Sequence, residues 1–328
     1  MRSFDYQRAD TLEHAANLCA DKDTTALAGG TNLLDLMKLQ VESPQVLADI
    51  SRLPLGSIDA TADGGLRIGA TVTNTDTAVD LRVRTEYPVL SRAILAGATQ
   101  QLRNRATTGG NLCQRTRCYY FTKLDQPCNK REPGSGCGAL RGVARLHAVL
   151  GTSDHCIATY PGDMAVALAA LDAAVEIASP GGKTRSVRVR DFHRLPGDTP
   201  WRDNVLEAGE IITAVTLPAP VGGSQIYRKV RERSSYAFAM VSVAAVVAVV
   251  DRRIARADLA FGGLAHKPWH DPRLSDLLVG KSPAAALFER AADLLLEDAV
   301  SHGDNAFKIP LARRTLIAVL AQATGEAA

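Results

Sequence analysis

The chain has 328 residues, of which 46% are hydrophobic and 22% are charged, and its formal net charge is +3. This length and composition are typical of a globular protein with two or three packed units, and the small charge argues against nucleic acid or an anionic membrane as a partner. The opening residues MRSFDYQRAD lack the apolar core of a secretory signal, and the longest apolar run, at 237–250, is too short to span a bilayer. We therefore expect a soluble protein with no signal of its own, no membrane span and no nucleic-acid partner.

The N-terminal segment predicts a β-α-β unit. Asp10 and Glu13 have capping-box spacing, and the apolar stripe after them predicts a helix over about 11–21 with Cys19 as a core residue rather than a ligand. After this helix we expect a strand over 25–28, a tight turn at Gly29 and Gly30, a helix over 33–39 and a returning strand over 46–50.

The remaining elements divide at a Pro/Gly-rich segment, PAPVGG at 218–223. Before it, the patterns predict strands at 66–70, 174–178, 184–189 and 211–217 and a helix at 163–172. After it, they predict strands at 225–231, 237–250 and 256–261 and helices at 283–300 and 310–323. The sequence thus predicts an α+β protein with a domain boundary near 220 and a smaller C-terminal α+β domain.

Two glycine-rich segments are candidates for binding a phosphate. Residues 26–34, ALAGGTNLL, place two glycines and a threonine between a predicted strand and helix, where backbone N–H groups favour an anion. The segment is neither a Walker loop nor a G-x-G-x-x-G motif, so an ordinary strand-to-helix turn is the alternative. A second segment, RNRATTGGNL at 103–112, offers hydroxyls and amides to the other side of a pyrophosphate.

Together these segments resemble the FAD-binding loops of the medium subunit of molybdenum hydroxylases, the family of xanthine dehydrogenase, CO dehydrogenase and bacterial aldehyde oxidoreductases. Further landmarks of the family follow in order at 66–76, 162–173, 227–245 and 259–269, so the resemblance covers nearly the whole chain. It implies an FAD-binding domain of the vanillyl-alcohol-oxidase type at 1–220, in two subdomains at about 1–55 and 56–220. A C-terminal α+β domain of the CO dehydrogenase flavoprotein type would occupy 224–328.

The resemblance also assigns residues to FAD. The first segment would hold the pyrophosphate and ribityl chain with Ala26, Leu27, Ala28, Gly29, Gly30, Thr31, Asn32, Leu33 and Leu34, and the second would face it with Thr107, Thr108, Gly110 and Asn111. Asp163 would bind a ribose or adenine-side hydroxyl, with a plain helix N-cap as the alternative. Lys229 would lie near the isoalloxazine, where a cation stabilises reduced flavin, with a solvated strand charge as the alternative.

Five of the six cysteines lie between Cys113 and Cys156. Such clustering in a large chain favours metal binding or redox chemistry over a disulfide framework. No C-x-x-C pair is present, which disfavours structural zinc, whereas widely spaced cysteines on a Gly/Pro-rich loop suit an iron–sulfur cubane. Zinc, disulfides and unligated thiols stay open as alternatives.

This insert, at about 113–157, resembles the one in periplasmic-type bacterial aldehyde oxidoreductases and, more loosely, the one in benzoyl-CoA-type hydroxylases. The resemblance implies a [4Fe–4S] cluster on Cys118, Cys128, Cys137 and Cys156, with Cys113 packed against the flavin loop instead. From 115 to 145 the insert has seven Lys/Arg against two Asp/Glu. That excess suits a negatively charged cluster or an acidic redox partner, and a solvated loop surface is the alternative.

No motif for molybdenum, pterin, substrate or a second cluster is visible in the sequence. The resemblance therefore implies an electron-transfer subunit with FAD and [4Fe–4S], whose partners are a large molybdenum-cofactor subunit and a small [2Fe–2S] subunit. It would pass electrons to an external electron acceptor, either in the periplasm after co-export with a partner or in the cytoplasm.

Two other functions compete with this interpretation. The first is a stand-alone flavin reductase or oxidase, because GGTNLL also resembles the glycine loop of cell-wall UDP-sugar reductases. The second is a non-catalytic redox sensor that uses only the cluster.

Overall fold

The structure is a computed structural model that describes residues 1–326. It begins with the predicted β-α-β unit, in which three parallel strands have the order β1-β3-β2. The strands are β1 (Asp5–Arg8), β2 (Thr24–Leu27) and β3 (Val46–Asp49), and the helices are α1 (Leu12–Leu18) and α2 (Leu33–Lys38).

The predicted capping box at the start of α1 is wrong. The N-cap is Thr11, whose hydroxyl oxygen accepts a hydrogen bond from the backbone N–H of His14 at 3.1 Å. The helix is also shorter than predicted, and Cys19 follows its last residue, half-buried against the core. Threonine one position later competes with Asp10 for the same role, and the sequence pattern alone does not separate the two.

A five-stranded antiparallel sheet forms the second layer, with the order β4-β5-β8-β6-β7. Its strands are β4 (Ile58–Ala60), β5 (Leu66–Gly69), β6 (Ala174–Ala178), β7 (Thr184–Arg188) and β8 (Ile211–Leu217). Its helices are α3 (Asn74–Val79), α4 (Leu81–Glu86), α5 (Pro88–Leu95), α6 (Gln100–Arg103), α7 (Thr108–Leu112), α8 (Tyr119–Thr122), α9 (Asp163–Ala170) and α10 (Val189–Phe192).

The C-terminal part is a three-stranded antiparallel sheet with helices. Its strands, in the order β11-β10-β9, are β9 (Ser224–Val230), β10 (Val241–Val250) and β11 (Arg253–Gly262). Its helices are α11 (Pro272–Leu278), α12 (Ala285–Leu295) and α13 (Lys308–Thr324). Helix α11 was not predicted, and the predicted strand at 237–250 begins only at Val241.

The apolar run in β10 is explained by burial of the strand on both faces. Ala244 and Val246 belong to the core of the N-terminal part, and Val243, Ala245 and Val247 belong to the C-terminal core. Alternating side chains of a strand point to opposite faces, so a strand between two cores is apolar throughout. Helix α9 packs against β10 and β11, and all eight of its residues are buried. In residues 1–326 no helix has the length and apolar character needed to cross a membrane.

Candidate cofactor site

The Gly29 loop, residues 26–34, connects β2 to α2 and packs against the backbone of the second glycine-rich segment. A Cβ atom on Gly29 would lie 1.9 Å from the carbonyl oxygen of Arg105, so the approach of the two segments requires glycine. Gly30 has a φ of 75°, in the left-handed region that favours glycine. The two glycines are therefore required by the geometry of the turn.

The Thr107 loop, residues 103–112, is held by its own side chains. Thr107 caps α7 through its hydroxyl group. Thr108 is 1% exposed, and its hydroxyl donates to a neighbouring backbone carbonyl at 3.1 Å. The side-chain amide of Asn111 donates to Asn74 Oδ1 at 2.9 Å. The hydroxyl of Thr108 thus holds the loop in place, whereas the sequence predicts that this residue contacts the cofactor.

Two adjoining cavities lie along these loops. The first, of about 370 Å³, is bounded by the Gly29 loop and by apolar side chains from the segment that leads into β8. The second, of about 300 Å³, is bounded by the Thr107 loop, the start of α9, β9 and residues 236–238. Thr31, Asn32 and Gly110 line both, so the cavities meet where the two loops meet.

Most of the predicted FAD-contacting residues line one of the two cavities. The first is lined by Ala26, Leu27, Ala28, Gly29, Gly30, Thr31, Asn32, Leu33, Thr107 and Gly110. The second adds Asn111, Asp163 and Lys229. Leu34 and Thr108 are among the lining residues of neither cavity, and their contact with the cofactor stays a prediction.

The junction of the cavities offers a hydrogen-bond donor that the protein itself does not use. Asn32 Oδ1 accepts from the backbone N–H of Arg115 at 2.9 Å, and this contact fixes the orientation of the amide. Asn32 Nδ2 is buried and has no partner among the described residues. Buried donors are normally satisfied, so this one is suited to an oxygen of a bound molecule. An elongated dinucleotide such as FAD, with a ring system at each end and a pyrophosphate between, fits two cavities with a polar junction.

Asp163 and Lys229 form one buried ion pair at the wall of the second cavity. Lys229 Nζ lies 2.8 Å from Asp163 Oδ2, and the two side chains are 4% and 8% exposed. Tyr227 donates a second hydrogen bond to the carboxylate. Burial raises the pKa of Asp163 above its ordinary value, while Lys229 acts in the opposite direction. The two residues predicted at opposite ends of FAD thus lie side by side, and their contacts with the adenine side and the isoalloxazine stay predictions.

A second polar centre, missed by the sequence analysis, ties the cysteine insert to the FAD-binding part. Asp203 Oδ1 lies 2.5 Å from Lys130 Nζ, and Asp203 Oδ2 lies 2.8 Å from Arg115 Nε. Burial alone would raise the pKa of Asp203, but Lys130 and Arg115 outweigh it and lower the pKa to about 2. Asp203 stays charged and anchors both cations of the insert.

The insert brings the four predicted cysteine ligands to one small cavity, which is lined by Cys118, Cys128, Cys137 and Cys156. All six cysteines of the chain are free thiols, so the disulfide alternative is not what the structure shows. Burial raises the pKa of Cys118 to about 12 and that of Cys156 to about 11. Cys113 instead lines the first cavity, beside the Gly29 loop.

Comparison with known proteins defines the family. The model of the FAD binding domain in molybdopterin dehydrogenase matches residues 2–220, and that of the CO dehydrogenase flavoprotein C-terminal domain matches residues 225–323. The chain is 53% identical to the aldehyde oxidoreductase FAD-binding subunit PaoB of Escherichia coli (strain K12), with 100% of both chains covered. It is 28% identical to the glyceraldehyde dehydrogenase medium chain of Sulfolobus acidocaldarius, over 85% of this chain and 82% of the relative.

Solved structures agree with this fold. Quinoline 2-oxidoreductase from Pseudomonas putida 86 matches with a TM-score of 0.74 and 26% identity, over 99% of this chain and 98% of the other. CO dehydrogenase from Oligotropha carboxidovorans matches with a TM-score of 0.77 and 22% identity over 99% of each chain, which supports the fold alone.

The fold and the two joined cavities define an FAD-binding flavoprotein. The chain belongs to the family of FAD-binding subunits of the molybdopterin dehydrogenases, also known as molybdenum hydroxylases. The predicted α+β fold, with an FAD-binding domain followed by a CO dehydrogenase flavoprotein C-terminal domain, is confirmed.

The prediction of a [4Fe–4S] cluster beside FAD is not supported and has to be corrected. The family model that matches residues 2–220 and the Escherichia coli relative that is 53% identical are both described by FAD. Within residues 1–326, no three or more side chains of His, Cys, Asp or Glu are grouped closely enough to hold a metal ion. FAD is the cofactor that these findings support.

Proposed function

We propose that this chain is the FAD-containing electron-transfer subunit of a molybdenum-dependent aldehyde oxidoreductase. The observation that carries the proposal is the 53% identity, over the full length of both chains, to a subunit of an aldehyde oxidoreductase. The partners would be a large subunit with the molybdenum cofactor and a small subunit with [2Fe–2S] centres. The complex would work in the periplasm after co-export with a partner, or in the cytoplasm.

In this proposal the chain's own residues bind and orient FAD. The Gly29 loop and the Thr107 loop would hold the pyrophosphate at the junction of the cavities, where the unpaired Nδ2 of Asn32 would donate a hydrogen bond to it. The Asp163–Lys229 pair lies against the part of FAD in the second cavity. FAD supplies the redox chemistry, because a flavin accepts electrons singly and delivers them in pairs.

The proposed division of labour places substrate oxidation in a partner subunit. The charged groups along the second cavity support this, since the carboxylate of Asp163 is paired with Lys229 and is engaged by Tyr227. Each of the two carboxylate oxygens thus already accepts a hydrogen bond from the protein, Oδ1 from Tyr227 and Oδ2 from Lys229. We also propose that the FAD-binding domain ends near 220 and that the C-terminal domain begins near 224.

The test compares the purified chain with the purified complex. With an artificial electron acceptor, the chain alone should bind FAD and show no aldehyde oxidation, whereas the complex should oxidise aldehydes. Aldehyde turnover by the FAD-loaded chain without partners would reject the subunit assignment. It would favour the alternative, a stand-alone flavin reductase or oxidase of the same fold.

The four cysteines of the insert require a separate test. Cys118, Cys128, Cys137 and Cys156 line one cavity, and Cys118 Sγ lies 3.0 Å from His147 Nε2, so they are a candidate thiol site. Four free thiols and a cubane with one thiolate on each iron differ in iron and sulfide content. Measuring about four irons and acid-labile sulfide per chain would show that a cluster is present. If replacing Cys128 then removes the iron and replacing Cys113 does not, Cys128 is a ligand and Cys113 is not. Iron-free protein would leave FAD as the redox group.

A further inference from the structure

Arg117 is a half-buried cation beside the second cavity. Among the described residues it takes part in none of the ion pairs, and its Nε is buried with no hydrogen-bond partner. Its guanidinium carbon lies 5.1 Å from the ring centroid of Phe238, so one flat face of the group is covered by an aromatic ring. Burial lowers the pKa of Arg117, and the carboxylate of Asp35 acts in the opposite direction.

The backbone on both sides of Arg117 is held in place. The hydroxyl of Thr116 donates to the carbonyl of Thr159 at 2.9 Å, and the same hydroxyl accepts from the backbone N–H of Cys118 at 3.3 Å. Arg117 lines the second cavity and also a smaller cavity that leads from there toward Cys118. The guanidinium therefore stands between the proposed FAD site and the cysteines of the insert.

Two other cations near the cavities are paired with carboxylates. Lys229 is neutralised by Asp163, and Arg115 by Asp203 and Glu42. Arg103 also lines the second cavity and is in none of the ion pairs of the described residues, but its guanidinium is held by a hydrogen bond to the carbonyl oxygen of Ala98, whereas that of Arg117 makes no such bond. Since a positive charge that is already paired contributes little to a bound anion, Lys229 is poorly suited to the role that the sequence analysis gave it.

We propose that Arg117, rather than Lys229, supplies the positive charge that favours the reduced, anionic form of the flavin ring. This inference rests on the proposed function, with the flavin ring in the second cavity. Reduction of FAD by two electrons and one proton leaves the ring with one negative charge, whereas the oxidised ring is neutral. A fixed cation therefore binds the reduced form more tightly than the oxidised form, and the reduction potential rises.

The experiment measures the two-electron reduction potential of FAD on the full-length chain, with excess FAD and indicator dyes of known potential. Arg117→Gln should lower the preference for reduced over oxidised FAD by about tenfold, which is a potential about 30 mV more negative. Arg117→Lys should recover most of the shift. Arg141→Gln removes the same charge from an exposed position of the insert and should leave the potential unchanged.

Three results would overturn the inference about Arg117. The first is an unchanged potential in Arg117→Gln. The second is weaker binding of oxidised FAD, including its complete loss, because that result assigns Arg117 to the pyrophosphate or to folding. The third is an equal shift in Arg141→Gln, which assigns the effect to net charge. Failure of the proposed function is distinguishable, because in that case the unsubstituted chain would itself bind no FAD.

Discussion

Lys229 and Asp163 lie 66 residues apart in the chain and form a buried ion pair with an N–O distance of 2.8 Å. The pair joins β9 of the C-terminal part to α9 of the FAD-binding part, at the wall of the second cavity. Its carboxylate also accepts from Tyr227. The contact thus connects the two parts of the protein at the proposed cofactor site.

Removing one partner of this pair should be costly. We expect Lys229→Met to lower the free energy of unfolding by about 3–5 kcal/mol, because the carboxylate of Asp163 would stay buried without a counterion. Chemical denaturation measures the change. Glu207→Gln, which breaks the exposed pair with Arg202, is the control and should cost less than about 1 kcal/mol. A loss for Lys229→Met no larger than that of the control would contradict the account.

The close approach of the two loops predicts a specific effect of a single methyl group. Gly29→Ala would place a Cβ atom against the carbonyl oxygen of Arg105, so the loops must separate and the junction of the cavities must change. We expect affinity for FAD to fall by at least about tenfold, or 1.4 kcal/mol. Gly222→Ala is the matched control, since its Cβ meets nothing within 4 Å. Flavin absorbance after gel filtration measures retention, and full retention by Gly29→Ala would show that the contact is unimportant.

Three buried histidines predict the response to acid. Burial lowers the pKa of His147, His193 and His266 from 6.5 to about 4. Between these values the unfolded chain takes up protons that the folded chain does not, so stability is complete above pH 6.5 and is lost as pH falls toward 4. Each histidine should contribute a slope of about 1.4 kcal/mol per pH unit in this window.

Unfolding measured across that pH range, with excess FAD, tests the assignment. His193→Gln should show a shallower loss of stability than the unsubstituted protein, and the exposed His14→Gln should match the unsubstituted protein. His193 Nε2 lies 2.9 Å from the carbonyl oxygen of Leu112, so the neutral ring donates to the end of the Thr107 loop. An unchanged slope in His193→Gln would show that this ring does not resist protonation.

The ion pairs of Asp203 hold the cysteine insert to the rest of the protein, and this predicts the effect of removing its charge. Asp203→Asn removes the charge that Lys130 and Arg115 share, and the side chain of Lys130 is only 1% exposed. Leaving that ammonium without a counterion should cost about 3–5 kcal/mol and should loosen residues 113–157. Limited proteolysis should then cut within this segment faster than in the unsubstituted protein. Asp198→Asn, nearby in sequence and exposed, should leave the cleavage rate unchanged.

Local patterns predicted the elements well where burial follows a simple period. The β-α-β unit, β6 and β8 agree with the expectations from sequence, and β10 is recognisable because both of its faces are buried. The cap of α1 was misassigned because Asp10 and Thr11 are both good N-cap residues, and only the backbone geometry selects Thr11.

The sequence predicts those residues of the candidate site that belong to short motifs. It does not predict those whose role depends on contacts between residues distant in the sequence. The glycines of the two loops are visible in the sequence, because a turn and a close approach leave a local signature. Asp203 and Arg117 have no such signature. The role of Asp203 depends on Lys130, which is distant in the sequence. The role of Arg117 depends on its lacking a hydrogen-bond partner for Nε among the described residues.

The central claim is that this chain is a flavoprotein subunit, and the flavin content of the purified full-length protein tests it most directly. The account predicts the absorption spectrum of a bound flavin, with one FAD released per chain on denaturation. A colourless protein that takes up no FAD from solution would contradict the account.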